Sequence, residues 1–201
     1  MGPLVVGTVY TENSDALVEM GVKDSKKLSP KRREILYEQI TTTVEHWGFF
    51  VTTAAEIDDK MKRMSLNDIE LEMFVQAAKR WPNDTVIVDC PEVNELSFQS
   101  RLHALIGTDA QVIAKNKADD TYPVVSAASI VAKVNRDRLM NEISEEFGVN
   151  LGSGYPSDHI TMDFVRDWIQ KNGTPPPEVR TSWEPVKKML SVKKNTKIDE
   201  W

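Results

Sequence analysis

The 201-residue sequence has a single cysteine, Cys90, which excludes an internal disulfide framework and suits a reducing compartment. Because it directly follows Val86, Ile87 and Val88, that thiol reads as a buried structural group rather than a reactive one. Positive charge is in deficit: 25 Lys and Arg against 31 Asp and Glu give a formal net charge of −6. A broadly basic nucleic-acid coat is thereby excluded, whereas a local basic face is not. No apolar window approaches the roughly 18 to 20 residues of a membrane span, and no basic leader precedes an apolar stretch with a cleavage site. A cytoplasmic protein is expected. Internal repeats and low-complexity tracts are lacking, and the absence of a G-x-x-x-x-G-K-[ST] loop disfavours a nucleotide-dependent switch. His46, His103 and His159 have no mutual spacing that suggests zinc, and read as surface or packing residues.

What remains is an ordinary apolar content of 40%, enough at this length for one well-buried domain with room for a small appendage. The only composition shift is near the end, where residues 174–177 break the chain and residues 187–197 are lysine-rich. Leu4 to Val9 is a β-branched strand pattern. Ser29 and Pro30 read as the cap and first residue of a helix running to about Val44, with Ile35, Leu36 and Ile40 on one face. Lys31, Arg32 and Arg33 sit in its first turn, against the helix dipole, which suits either a phosphate contact or, with more weight, a solvated face. Phe49 to Ala54 reads as a strand, and Ser65 as the cap of a helix through Lys79. Thr85 to Val88 is a continuous apolar run that suits a strand covered on both faces, and it ends in Asp89. A helix near Phe98 to Ile106 and a strand over Gln111 to Ala114 follow. This alternation implies an α/β domain with right-handed crossovers. Helices over about His159 to Gln170 and near Trp183 to Leu190 complete a helical C-terminal portion.

The segment Val112 to Arg138 is the centre of the chemistry. It begins as a strand, places Asp119 and Asp120 at that strand's carboxyl end, and continues as a long helix after Pro123. Open α/β sheets build their sites at such ends. Ser126, Ala127, Ala128 and Ser129 would let another backbone approach the helix closely, and Lys133, Arg136 and Arg138 could hold phosphates. Asp89 also follows a strand, so it and Asp119 could converge. Two such carboxylates suit magnesium or manganese, hard cations with oxygen ligands; from spacing alone, structural capping of the strands is the commoner reading. In the loop Gly152 to Asp158, backbone N–H groups around Ser153 could approach an anion while Tyr155 packs on a sugar or base. From composition alone a plain turn is the stronger reading.

Four stretches together carry a resemblance: DSKKLSPKRRE at Asp24 to Glu34, IVDC ending in Asp89 and Cys90, NKADDTYPVVSAASIVAKVNRDR at Asn116 to Arg138, and GSGYPSD at Gly152 to Asp158. In this order the chain resembles ribonuclease HII of the archaeal branch over essentially its whole length. The resemblance implies a ribonuclease H-like α/β fold, a mixed sheet flanked by helices with a helical C-terminal region. In such a fold the catalytic domain would span residues 1–145, a substrate-binding region 146–190 and a flexible tail 191–201. It implies endonucleolytic cleavage of RNA in RNA/DNA hybrids and at ribonucleotides embedded in duplex DNA, with magnesium or manganese, leaving 5′-phosphate and 3′-hydroxyl ends. Asp89 and Asp119 match catalytic, metal-binding aspartates, Tyr155 the tyrosine that packs on the deoxyribose at the RNA-to-DNA junction, and Lys26 a residue near substrate phosphates. A monomer is expected.

The same resemblance carries two expectations about the chain ends. The family begins with a strand bearing an Asp-Glu pair and then a Gly-Arg-Gly loop, and Met1-Gly2-Pro3 matches the sequence just after that loop. Little or no nuclease activity, and an unstable fold with unpaired strands, are expected of the chain as written; a catalytically inactive hybrid-binding module is the alternative. At the other end, Asn195, Ile198 and Trp201 repeat the spacing of peptides that bind sliding clamps, with Asn195 in place of the usual glutamine.

Overall fold

The computed structural model describes residues 1–22, 28–81 and 84–196, with the side chains of 192–196 left aside. Strand β1 (Leu4–Tyr10) is followed by the short helix α1 (Asp15–Glu19), α2 (Pro30–Thr43), β2 (His46–Thr52), α3 (Ala54–Lys60) and α4 (Leu66–Ala78). Then come β3 (Thr85–Asp89), α5 (Glu95–Ile106), β4 (Gln111–Lys115), the single turn α6 (Ala118–Thr121), the long α7 (Pro123–Phe147), α8 (His159–Asn172) and α9 (Glu184–Thr196). The α/β class is as expected. Among the described residues no helix is long and apolar enough to cross a membrane.

Local chemistry accounts for most boundaries. Helix α2 starts where expected, because the Ser29 side chain accepts the N–H of Arg32 and Pro30 needs no partner there. Two of its first-turn cations prove to be structural: buried Arg33 donates Nη1 to the Leu28 carbonyl at 2.7 Å, and Arg32 donates to that of Met20 at 3.1 Å. Strand β2 ends at Thr52 rather than Ala54, because Thr53 caps α3. Its hydroxyl accepts the N–H of Glu56 at 3.2 Å, and the Glu56 carboxylate accepts the N–H of Thr53 at 2.8 Å. Together these close a capping box.

The strands pair as two two-stranded sheets, β1 with β2 and β3 with β4. Among the described residues no strand hydrogen-bonds to both β1 and β3. Strands β3 and β4 run parallel, with Thr85 opposite Gln111 and Asp89 opposite Lys115. Only Val88 of β3 is buried, while Val86 and Ile87 are half-covered, so this strand is enclosed less fully than its apolar run suggests. The outer edge of β4 is closed by α5: Gln99 accepts the N–H of Ala114 at 3.1 Å and Glu95 that of Asn116 at 2.7 Å. These two side chains are one helical turn apart and protect an edge that would otherwise be open to pairing.

The chain divides into two compact units, neither contiguous. One comprises residues 5–51 and 66–135, the other residues 1–4, 52–65 and 136–201. The first has two apolar clusters. Leu36, Ile40, Ile130 and Val131 centre one of them, and Phe98, Leu102, Val88 and Ala114 the other. In the second unit Met1, Met140, Leu151, Val165, Ile169 and Val186 pack together.

Within the first unit, Gly7 explains the small residues of α7. A Cβ at Gly7 would lie 2.2 Å from the carbonyl oxygen of Ala128 and 2.7 Å from the nitrogen of Ala132. Strand β1 therefore meets α7 backbone to backbone, the close approach that Ala127 and Ala128 permit.

Candidate functional site

Parallel pairing puts the ends of β3 and β4 side by side, with Asp89 opposite Lys115. Asp89 Oδ1 accepts the N–H of Ala118 at 3.1 Å, so the first aspartate is tied to the residue preceding the second. Asp119 is buried within α6. Its backbone carbonyl accepts the buried hydroxyl of Ser126, from the first turns of α7. The structure thus brings Asp89 and Asp119 to one sheet end, as spacing alone could not establish.

Asn116, which sequence reasoning passed over, braces this edge. Its side-chain nitrogen donates to the carbonyls of Cys90 at 2.9 Å and Glu92 at 2.8 Å, and the N–H of Cys90 donates to the Lys115 carbonyl at 2.8 Å. The chain leaving β3 is thereby fixed to the end of β4. Cys90 is buried, and that burial pushes its thiol above the ordinary range, with Glu92, Glu95 and Asp89 adding to the rise. It is a structural thiol.

Oxygen donors of two aspartates fit a magnesium-like ion, which typically takes one or two carboxylates and completes its shell with water and phosphate. Among the described residues no group of three or more His, Cys, Asp or Glu could hold a metal. Solvent or substrate oxygens would complete the shell of an ion held by Asp89 and Asp119.

In the second unit, the loop carrying Ser153 and Tyr155 is built on two left-handed glycines, Gly152 and Gly154, with φ of 69° and 77°. The N–H groups of Gly152, Ser153 and Gly154 are engaged by the protein's own oxygens. Asn150 takes the N–H of Gly152 at 2.9 Å, Asp158 that of Ser153 at 2.6 Å, and Thr161 that of Gly154 at 3.0 Å. The buried Thr161 hydroxyl also donates to the Leu151 carbonyl at 2.7 Å. The bonds from Ser153 hold the Asp158 carboxyl below its usual range, and Asp158 caps α8 as well. What this loop presents outward is therefore the Tyr155 ring, 41% exposed, rather than a row of amides.

Arg136 backs that ring. Its guanidinium carbon stands 4.1 Å from the ring centroid, and Nη1 donates to the Ser153 carbonyl at 2.9 Å. The neighbouring cations are differently placed. Lys133 is half-buried and belongs to the first unit, whereas Arg138 is exposed and follows Arg136 by two residues. Two residues are about 200° around a helix, so Arg138 faces another side of α7 from Arg136. Below the loop, the Met1 amine donates to the Gly154 carbonyl. Burial, with help from Arg180 and Arg136, pushes the pKa of that amine from 8.0 down to about 4.

Lys26, Ile198 and Trp201 lie outside the described residues, as does the side chain of Asn195. Of the positioning residues that sequence reasoning missed, Asp158 was the legible one, since a serine or aspartate directly before a helical run is a cap signal. Thr161 and Asn116 carried no such signal.

A family model described as Ribonuclease HII matches residues 1–186. Ribonuclease HII of Methanococcoides burtonii is 41% identical over 199 residues, covering 94% of this chain and 93% of that protein. The Thermococcus onnurineus protein of the same name is 40% identical over 193 residues, covering 94% and 84%. Among solved structures, the ribonuclease H2 from Pyrococcus horikoshii OT3 matches with a TM-score of 0.88 at 37% identity, over 96% of this chain and 92% of that one. The structure of the PCNA:RNase HII complex from Archaeoglobus fulgidus matches with a TM-score of 0.86 at 37% identity, over 94% and 90%.

Proposed function

The chain belongs to the ribonuclease HII family, and from that premise we propose that it is a metal-dependent endoribonuclease. Its substrates are RNA in RNA/DNA hybrids and ribonucleotides embedded in duplex DNA, and its products carry 5′-phosphate and 3′-hydroxyl ends. The observation that carries the reading is the tie between the Asp89 carboxylate and the Ala118 N–H at the carboxyl ends of β3 and β4, where open α/β sheets place their ligands. Asp89 and Asp119 would hold magnesium or manganese. When bound, such an ion supplies charge neutralisation at the scissile phosphate and a more acidic water.

The remaining roles belong to binding. The Tyr155 ring packs on the deoxyribose at the RNA-to-DNA junction, a role its exposure and its anchored loop support. Arg136 fixes the ring's pose through its stack and its bond to Ser153. Lys26, Lys133 and Arg138 meet phosphates. The alternative is an inactive hybrid-binding module, which would hold substrate through Tyr155 and the cations without cutting it. The solved complex of a relative with PCNA supports a clamp-binding role for the tail at Asn195, Ile198 and Trp201. Clamp binding unchanged on deleting residues 195–201 would refute that role.

The test is cleavage of a duplex with one embedded ribonucleotide in manganese. The chain is compared with its Asp89→Asn and Asp119→Asn variants. Cutting by the parent that either substitution abolishes is the expected result. Cutting that survives both substitutions would refute the metal-site reading. Failure of the parent to cut, with hybrid still bound in chelator, would favour the binding module.

A further inference from the structure

Lys117 is the only non-glycine residue with positive φ among the described residues, at φ 56° and ψ 39°. A Cβ is unfavourable in this left-handed region, which is why glycine, or less often Asn or Asp, usually fills it. A bulky lysine held there is an outlier of the kind that collects at functional sites. The conformation is imposed from both sides. Asn116 before it is held by its N–H to Glu95 and by its side chain to the Cys90 and Glu92 carbonyls, and Ala118 after it by its N–H to Asp89.

The charges around this turn give the side chain a task. Asp89, Glu92, Glu95, Asp119 and Asp120 all belong to the two segments that meet here. A polyanion approaching them meets repulsion unless a fixed cation lies close by. Lys115 does not serve, because its Nζ pairs with Glu95 at 3.4 Å. Lys117 is exposed, and although its carbonyl accepts the Asp120 N–H at 3.0 Å, its ammonium has no hydrogen-bond or ion-pair partner among the described residues.

We propose that Lys117 is a substrate-binding residue whose ammonium holds a backbone phosphate of the hybrid beside the Asp89–Asp119 edge. This rests on the reading of the substrate given above. The turn needs only a residue that tolerates positive φ; the lysine is there for its charge.

Glycine at 117 separates the two roles, because it keeps the turn and deletes the ammonium. Binding of a fluorescently labelled RNA/DNA hybrid is followed by anisotropy in chelator, across a salt series, for the parent, Lys117→Gly and Lys117→Arg. Lys117→Gly should melt no lower than the parent yet bind the hybrid several-fold more weakly at low salt. The slope of log affinity against log salt should become shallower by about 0.7 to 0.9, the release expected for one phosphate contact. Lys117→Arg should keep the parental slope. A Lys117→Gly chain with the parent's affinity and slope would overturn the inference, as would a loss of binding matched by a lower melting temperature. A parent that does not bind hybrid at all would overturn the substrate reading, and this inference with it.

Discussion

Replacing Thr161 by valine removes one hydroxyl from a buried position and changes the side chain's shape very little. That hydroxyl donates to the Leu151 carbonyl at 2.7 Å and accepts the Gly154 N–H at 3.0 Å. Thr161 and Leu151 are both fully buried, so water cannot replace the lost partner without opening the loop. Each stranded backbone group costs about 1 to 3 kcal/mol, which gives roughly 2 to 6 kcal/mol for the pair. With a urea slope of about 2 kcal/mol per molar, the unfolding midpoint should fall by about 1 to 3 M. Thr161→Ser keeps the hydroxyl and loses one methyl, at about 1 kcal/mol. The order parent, serine, valine is therefore expected in urea unfolding followed by circular dichroism. Because Gly154 directly precedes Tyr155, the valine chain should also bind hybrid more weakly. A valine variant within about 0.5 kcal/mol of the parent, or one no worse than the serine variant, would refute the claim that this hydroxyl holds the loop.

Two other perturbations test the packing and the charge balance. Gly7→Ala sets a Cβ 2.2 Å from the Ala128 carbonyl oxygen, so β1 must move off α7; about 3 kcal/mol or more should be lost in urea unfolding. Gly48→Ala meets nothing nearer than 3.6 Å and should stay within about 1 kcal/mol of the parent. Ala128→Gly should not rescue Gly7→Ala, because the atom struck is backbone. For a chain beginning at Met1, the amine titrates at about 4 when folded against an ordinary 8.0, so the unfolded state binds more protons between these values. Stability is then fully present above pH 8 and is lost as pH falls, at about 1.4 kcal/mol per unit. Between pH 8 and 6, before the carboxylates titrate, the loss should be about 2 kcal/mol in chemical unfolding. Acetylating the amine should flatten that slope; an unchanged slope would refute the assignment.

The parts of this fold that could be read in advance are those set by neighbours in sequence. Ser29 with Pro30 marks the start of α2, and Asp158 the start of α8, because caps act within one turn. The small residues of α7 announced a close contact but not its partner, since Gly7 comes to them from far along the chain. Helix α3 was hidden because Phe49, Phe50 and Val51 dominate the pattern ahead of the Thr53–Glu56 capping box. Arg33 was expected in solvent and is buried, since its guanidinium finds the Leu28 carbonyl. The Gly152–Gly154 amides suggested an anion cradle by composition, but Asn150, Asp158 and Thr161 occupy them. Which oxygen an amide faces is decided by tertiary geometry, and composition does not carry it. The same holds for the sheet: each strand was recognisable, whereas its partners depend on contacts distant in sequence.

The central claim is that Asp89 and Asp119 act together as one divalent-cation site. The most direct measurement is manganese binding by the chain, by calorimetry or electron paramagnetic resonance, for the parent and for Asp89→Asn, Asp119→Asn and Asp120→Asn. Loss of binding in either of the first two, with Asp120→Asn close to the parent, is the expected result. Binding that survives in both Asp89→Asn and Asp119→Asn would contradict the account.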